Sequence, residues 1–65
     1  MQVMINGAMQ EIEKTVLSDV LRELGFGTQA VAVELNGEIL SMDSYISTVI
    51  TAADRLEIVT FVGGG

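Results

Sequence analysis

The chain has 65 residues, room for one domain and one small core, with 9 Asp and Glu against 3 Lys and Arg for a net charge of −6. It contains no Cys and no His, which excludes disulfide staples, thiolate or imidazole metal sites, thiol nucleophiles and imidazole bases. The acidic balance disfavours nucleic acid and anionic membrane and favours a partner with a basic surface.

A domain of this size buries only about 60% of the surface its unfolded chain exposes, so stability must come from packing of the 49% apolar residues. The run Gln2-Val3-Met4-Ile5 ends at Asn6-Gly7, a strong two-residue hairpin signal. Met9 to Glu13 reads as the returning strand, with Val3, Ile5 and Ile12 on the buried face and Met4 on the other. Thr15 is placed as an N-cap. Val16, Leu17, Val20, Leu21 and Leu24 then form one apolar helical stripe, with Ser18, Asp19, Arg22 and Glu23 on the wet side. Gly25 suits the left-handed position that ends such a helix. So short a helix is marginal alone and must lie on a sheet.

Val31 to Leu35 alternates as a half-buried strand, Asn36-Gly37 gives a second tight turn, and Glu38 to Leu40 follows as a short strand. Between Ser41 and Thr51 a turn or single helical turn is expected near Asp43, Ser44 and Tyr45, with Ile46, Val49 and Ile50 supplying buried bulk. After the turn-like Ala52-Ala53-Asp54-Arg55, Leu56 to Val62 reads as the last strand, paired beside the first at the sheet centre. Leu56 and Ile58 face the helix. Val59 and Phe61 then look outward, and with Met4 they make a modest apolar patch, either incidental or a docking face.

Gly63, Gly64 and Gly65 close the sequence. Fixing a residue's backbone costs about 1–2 kcal/mol, with glycine at the high end, so the tail is expected to be flexible. Two readings are open: a frayed terminus, or a thread. Three extended residues reach on the order of 10 Å, enough to carry the Gly65 carboxylate into another protein's active site. The expected architecture is an α+β two-layer domain over residues 1–62, a mixed sheet of four to five strands packed on one helix, followed by the tail 63–65. Met1-Gln2-Val3 lacks the charged start of a signal peptide, and no apolar run approaches a membrane span. The expected location is the cytoplasm.

The hairpin-helix-strand order, Val31-Ala32-Val33-Glu34-Leu35-Asn36 and the ending Glu57-Ile58-Val59-Thr60-Phe61-Val62-Gly63-Gly64-Gly65 resemble the ThiS family, the sulfur carrier proteins of thiamine biosynthesis. The resemblance covers the whole chain and implies the β-grasp, ubiquitin-like fold. One departure is Ala52-Ala53-Asp54, where that family often has an Asp-Gly-Asp-type turn. The resemblance implies that Gly65 is adenylated by a ThiF-like enzyme using ATP and Mg²⁺. A persulfide sulfur donor then converts it to a thiocarboxylate, and a ThiG-like thiazole synthase takes the sulfur. In that scheme Gly64 and Gly63 thread the tail, Phe61, Val59 and Met4 dock the partner, and the chain binds no cofactor or metal of its own. Three alternatives stay open: a sulfur carrier like the small subunit of molybdopterin synthase, a carrier for cysteine synthesis or tRNA thiolation, and a plain β-grasp binding module. An enzyme is not expected, since no nucleophile-base pair is visible.

Overall fold

The computed structural model describes residues 1–61. Strand β1 (Gln2–Ile5) turns through Asn6-Gly7 into β2 (Ala8–Glu11). The turn residues have φ of 52° and 82°, the left-handed pair that a two-residue type I′ hairpin requires. The same geometry recurs at Asn36 and Gly37, with φ of 53° and 89°, between β3 (Val31–Leu35) and β4 (Glu38–Ile39). Helix α1 (Leu17–Glu23) lies between the hairpins, a 3₁₀ turn covers Met42–Ile46, and β5 (Arg55–Thr60) comes last.

The sheet order is β2-β1-β5-β3-β4. β5 lies parallel to β1 and antiparallel to β3, and both hairpins are antiparallel. The expected mixed sheet on one helix, with the last strand central, is therefore the observed one. Val3 and Ile5 of β1, Leu56 and Ile58 of β5, and Val31 and Val33 of β3 are buried with Leu17, Val20 and Leu21 of α1. Period-2 alternation in the strands meets the 3.6-residue stripe of the helix, and the core is the layer between them.

Several local expectations are corrected. Thr15 does not cap α1; the N-cap is Val16, in extended backbone with no side-chain bond. The helix start is held from outside instead. Leu17 N–H donates to the Thr48 carbonyl (2.8 Å) and Ile50 N–H to the Thr15 carbonyl (2.7 Å) around a Val16–Val49 bridge. Ser18 is buried, not wet, because it stands on the flank of the stripe that the 3₁₀ segment packs against. From that segment Tyr45, not Ile46, enters the core, and its hydroxyl donates to the Val31 carbonyl (3.3 Å). Ile50 is buried as expected, whereas Ile46 and Val49 are exposed. A five-residue 3₁₀ turn presents only part of its circumference to the sheet. The second strand is also shorter than read, ending at Glu11.

The helix ends as expected. Gly25 has φ 89°; its N–H donates to the Arg22 carbonyl (3.0 Å) and Phe26 N–H to that of Leu21 (2.8 Å). This is the reciprocal Schellman pattern that only a left-handed residue allows at low cost. Glu23 ties the helix back to the first hairpin by accepting the N–H groups of Glu13 (2.8 Å) and Lys14 (2.9 Å). The Lys14 and then the Glu13 amide hold its carboxyl below the usual carboxylate range.

β1 is too short to accompany β5 along its whole length, since their register ends at Ile5–Leu56. Asn6 completes the pairing with its side chain. Its backbone N–H donates to the Leu56 carbonyl (2.9 Å). Its Oδ1 then accepts from Ile58 N–H (2.7 Å), and its Nδ2 donates to the Ile58 carbonyl (3.1 Å). Replacing Asn6 by Gly keeps the turn's φ and deletes only the amide. The expected loss is about 1–3 kcal/mol, read as a lowered midpoint in urea with an unchanged slope.

Candidate functional site

The expectations for Gly63, Gly64 and Gly65 lie outside the described residues, so the site is built from the strand that leads to them. The hydrogen-bond pattern assigns each residue of β5 a direction. Phe61 N–H donates to the Ala30 carbonyl (2.8 Å) and Asn36 N–H to the Arg55 carbonyl (2.9 Å). Odd-numbered residues of β5 thus exchange their backbone bonds with β3, and even-numbered ones turn theirs toward β1. Phe61, although past the end of β5, is still tethered to the sheet.

Side chains divide by the same alternation. Leu56 and Ile58 point into the core, while Arg55, Glu57, Val59 and Phe61 lie on the outer face, the one opposite α1. Val59 and Phe61 are 59% and 56% exposed, as their positions predicted. Val59 stands opposite Ala32 of β3, so the two outward residues lie beside a small apolar neighbour. Met4 does not join them. It is paired with Arg55, four residues before Val59, or roughly 13 Å along the strand at ~3.3 Å per residue. Glu57 occupies the outer face between. The cross-strand neighbour of Met4 is instead Met9, itself exposed. In sequence Met9 opens the returning strand, and the two-residue turn at Asn6-Gly7 already sets Met4 opposite it. The three docking candidates therefore form two separate apolar spots, Met4 with Met9 and Val59 with Phe61.

Charge fills the space between those spots. Glu57 lies directly opposite Glu34 of β3, and among the described residues neither is in an ion pair. Like charges in directly opposed positions are destabilising. Arg55 lines the same shallow depression as the two carboxylates and offsets part of that repulsion without forming an ion pair with either. Among the described residues no group of three Asp or Glu converges to hold a metal ion, and no helix is long and apolar enough to cross a membrane.

The start of β5 is held by a second asparagine. Asn36 Oδ1 accepts from Arg55 N–H (2.9 Å), and its Nδ2 donates to Asp54 Oδ1 (2.9 Å). Asp54 Oδ2 accepts from Thr51 N–H (2.8 Å). The Asn36 amide, and after it the Thr51 amide, hold the Asp54 carboxyl below the usual carboxylate range. This Asx-type closure replaces the Asp-Gly-Asp turn that the resemblance would have led one to expect, using Asp54 alone.

A family model described as the ThiS family matches residues 3–65. A thiazole synthase from Paramagnetospirillum magneticum is 39% identical over 66 residues, an alignment covering 100% of this chain and 20% of that protein. One from Magnetococcus marinus is 38% identical with the same coverage. The chain thus spans about a fifth of the length of these two relatives. An uncharacterized protein, ycf40, of Pyropia yezoensis is 39% identical over 64 residues, 97% of this chain and 90% of its own length. The crystal structure of the thiamine biosynthesis protein ThiS from Geobacter metallireducens matches with a TM-score of 0.79 and 30% identity, covering 100% of both chains.

Because folding lowers the Asp54 pKa, its bonds add stability above the ordinary carboxylate range, and that contribution is lost as pH falls through the lowered value. An Asp54→Ala variant should be less stable than the parent at neutral pH. The difference between the two urea midpoints should shrink as the pH is lowered through and below the ordinary carboxylate range. A gap that stays constant to the acid end would mean that the carboxylate's charge plays no part in closing the turn.

Proposed function

We propose, from the premise that this chain belongs to the ThiS family, that it carries sulfur on the C-terminal carboxyl of Gly65 for thiazole formation in thiamine biosynthesis. The observation that carries this is a family match running through residue 65, on a chain whose central strand leads straight into Gly63-Gly64-Gly65.

A C-terminal carboxyl has a pKa of about 3.3–3.7 and is a carboxylate at neutral pH, hence a poor electrophile. In the proposed cycle a ThiF-like adenylating enzyme holds ATP and Mg²⁺. The Gly65 carboxylate attacks the α-phosphorus and pyrophosphate leaves. The terminal sulfur of a persulfide donor attacks the acyl-adenylate and expels AMP to form an acyl disulfide. A thiol then attacks the donor's sulfur of that disulfide, releasing the thiocarboxylate and leaving the donor as a disulfide. The chain contributes the carboxyl and a narrow thread; charge stabilisation is the enzyme's task. Glycine at positions 63 and 64 lets the backbone pass where a Cβ would collide. A role as protein co-substrate, not enzyme, follows from that division of labour.

The two thiazole synthase relatives support the pairing with a ThiG-like acceptor of the sulfur, since a segment like this chain lies within polypeptides of that name. The exposed Val59 and Phe61, next to the exit of the strand, are the docking residues of this proposal, with the Met4–Met9 spot as a separate contact. The acidic body speeds association with a basic enzyme surface more than it tightens the final complex.

Fragment mass spectrometry of the protein from its host tests the proposal. The expected result is replacement of oxygen by sulfur at Gly65, sensitive to thiol alkylation. Fragmentation is essential because oxidation of any of the four methionines adds nearly the same mass. An end that stays unmodified with adenylating enzyme, ATP and sulfur donor supplied would leave a β-grasp binding module. A sulfur that passes to an acceptor other than thiazole synthase would assign the chain to another sulfur-transfer pathway. A Gly64→Val variant should keep its stability and lose adenylation by about 10²-fold or more, as misplacement of a reacting group does.

A further inference from the structure

Among the described residues, one side of β5 has no neighbouring strand beyond Asn6. β1 ends its register at Leu56 and the Asn6 amide closes Ile58. The next residue with that direction is Thr60. Its N–H and carbonyl turn away from β3 and, among the described residues, meet no strand. The vacant position lies in line with β1, past the point where Asn6-Gly7 reverses the chain into β2. Folded proteins ordinarily guard such an edge with Lys, Pro or a bulge. Here the residues are Val59, Thr60 and Phe61, all of them strand formers.

The outer face beside this gap has a matching chemistry. Val59 and Phe61 are exposed at alternate positions, as side-chain pockets of an added strand would need. Two residue pairs along, Glu57 opposes Glu34. Arg55 lines the same depression but among the described residues forms no ion pair with either. Two carboxylates thus face one cation, and a further cation placed there would be favoured.

We infer that an extended segment of the adenylating enzyme adds as a strand beside β5 at Thr60, with an apolar side chain over Val59 and Phe61 and a Lys or Arg reaching along the outer face toward Glu57. A second copy of the chain fits less well, since it would bring another −6 of charge and the same acidic pair. The inference rests on the sulfur-carrier proposal for the identity of the occupant, and adds to it where and how the main chain is gripped.

Thr60→Pro is the informative substitution. It removes the N–H that points into the gap, while the β3 ladder loses nothing because Thr60 gives it no bond. The variant should keep the wild-type amide spectrum, and its Kd for the host's adenylating enzyme should rise about tenfold. An affinity within twofold of the parent overturns the inference.

Amide exchange on the wild-type protein gives a second reading that does not depend on the variant folding. Ile58 should be protected in the free chain. Thr60 should be unprotected when free and become protected on adding the enzyme. Thr60 left unprotected in the complex overturns the inference, as does Thr60 protected in a dimer of the free chain, which would make the second copy the occupant. A wild-type chain that neither binds the enzyme nor gains sulfur would defeat the carrier proposal and this inference together. A wild-type chain that gains sulfur beside a Thr60→Pro chain that binds equally well would defeat this inference alone.

Discussion

Ile58 is a buried residue of the central strand, and both its β1-facing backbone groups are satisfied by the side-chain amide of one asparagine. An unpaired buried N–H or carbonyl costs about 1–3 kcal/mol, a large fraction of what so small a core supplies. Asn6 meets three demands that no other residue meets together. It accepts the positive φ of a type I′ turn, it carries an acceptor for Ile58 N–H, and it carries a donor for the Ile58 carbonyl. Glycine would satisfy the first alone, and aspartate would lack the donor. Asn36 repeats the device at the other end of β5, toward Arg55 and Asp54. The two hairpin turns therefore also clamp the strand that leads to the tail.

With β5 held in this way, its two faces can differ in purpose. The even-numbered side chains secure the fold: Leu56 and Ile58 are buried against the helix layer. The odd-numbered ones contribute little to it. Val59 and Phe61 remain exposed, and Glu57 faces Glu34 at a position where stability alone would favour an opposite charge. Local choices that oppose folding tend to gather where a protein does its work. Glu57, Val59 and Phe61 all lie on the outer face of the strand closest to the exit, although Ile39, Ile46 and Val49 are at least as exposed elsewhere.

Much of this was legible in the residues. Both Asn-Gly turns, the alternation of Val31 to Leu35, the helical stripe ending at Gly25 and the central place of the last strand follow from period and turn chemistry, which are local. The misread parts depend on what arrives from elsewhere in the chain. Thr15 has the chemistry of a cap, but the Thr48 carbonyl reaches the helix start first. Ser18 is polar, but the 3₁₀ segment covers it. Tyr45 does lie in the helical turn expected there, but its ring is also buried, where Ile46 was expected to supply the bulk, and its hydroxyl finds the Val31 carbonyl. On the outer face, alternation correctly exposed Val59 and Phe61. Their separation from Met4 required the parallel register of β1 on β5, which no local pattern encodes. The latches were hidden for a similar reason, since an Asn-Gly pair announces a turn but not the strand that its amide will reach.

The tether at Phe61 links fold to function most directly. Its N–H is bonded to the Ala30 carbonyl, so the chain is held by the sheet up to the residue before Val62. Each residue that an enzyme must order on binding costs about 1–2 kcal/mol of backbone entropy. Carrying the ladder as far as Phe61 means that no residue up to that point adds to the cost. On the proposal that Gly65 carries the sulfur, ending the ladder earlier would lengthen the segment a partner must order and would lose affinity. The two asparagine latches hold β5 in the sheet, and so hold the chain in place up to this point.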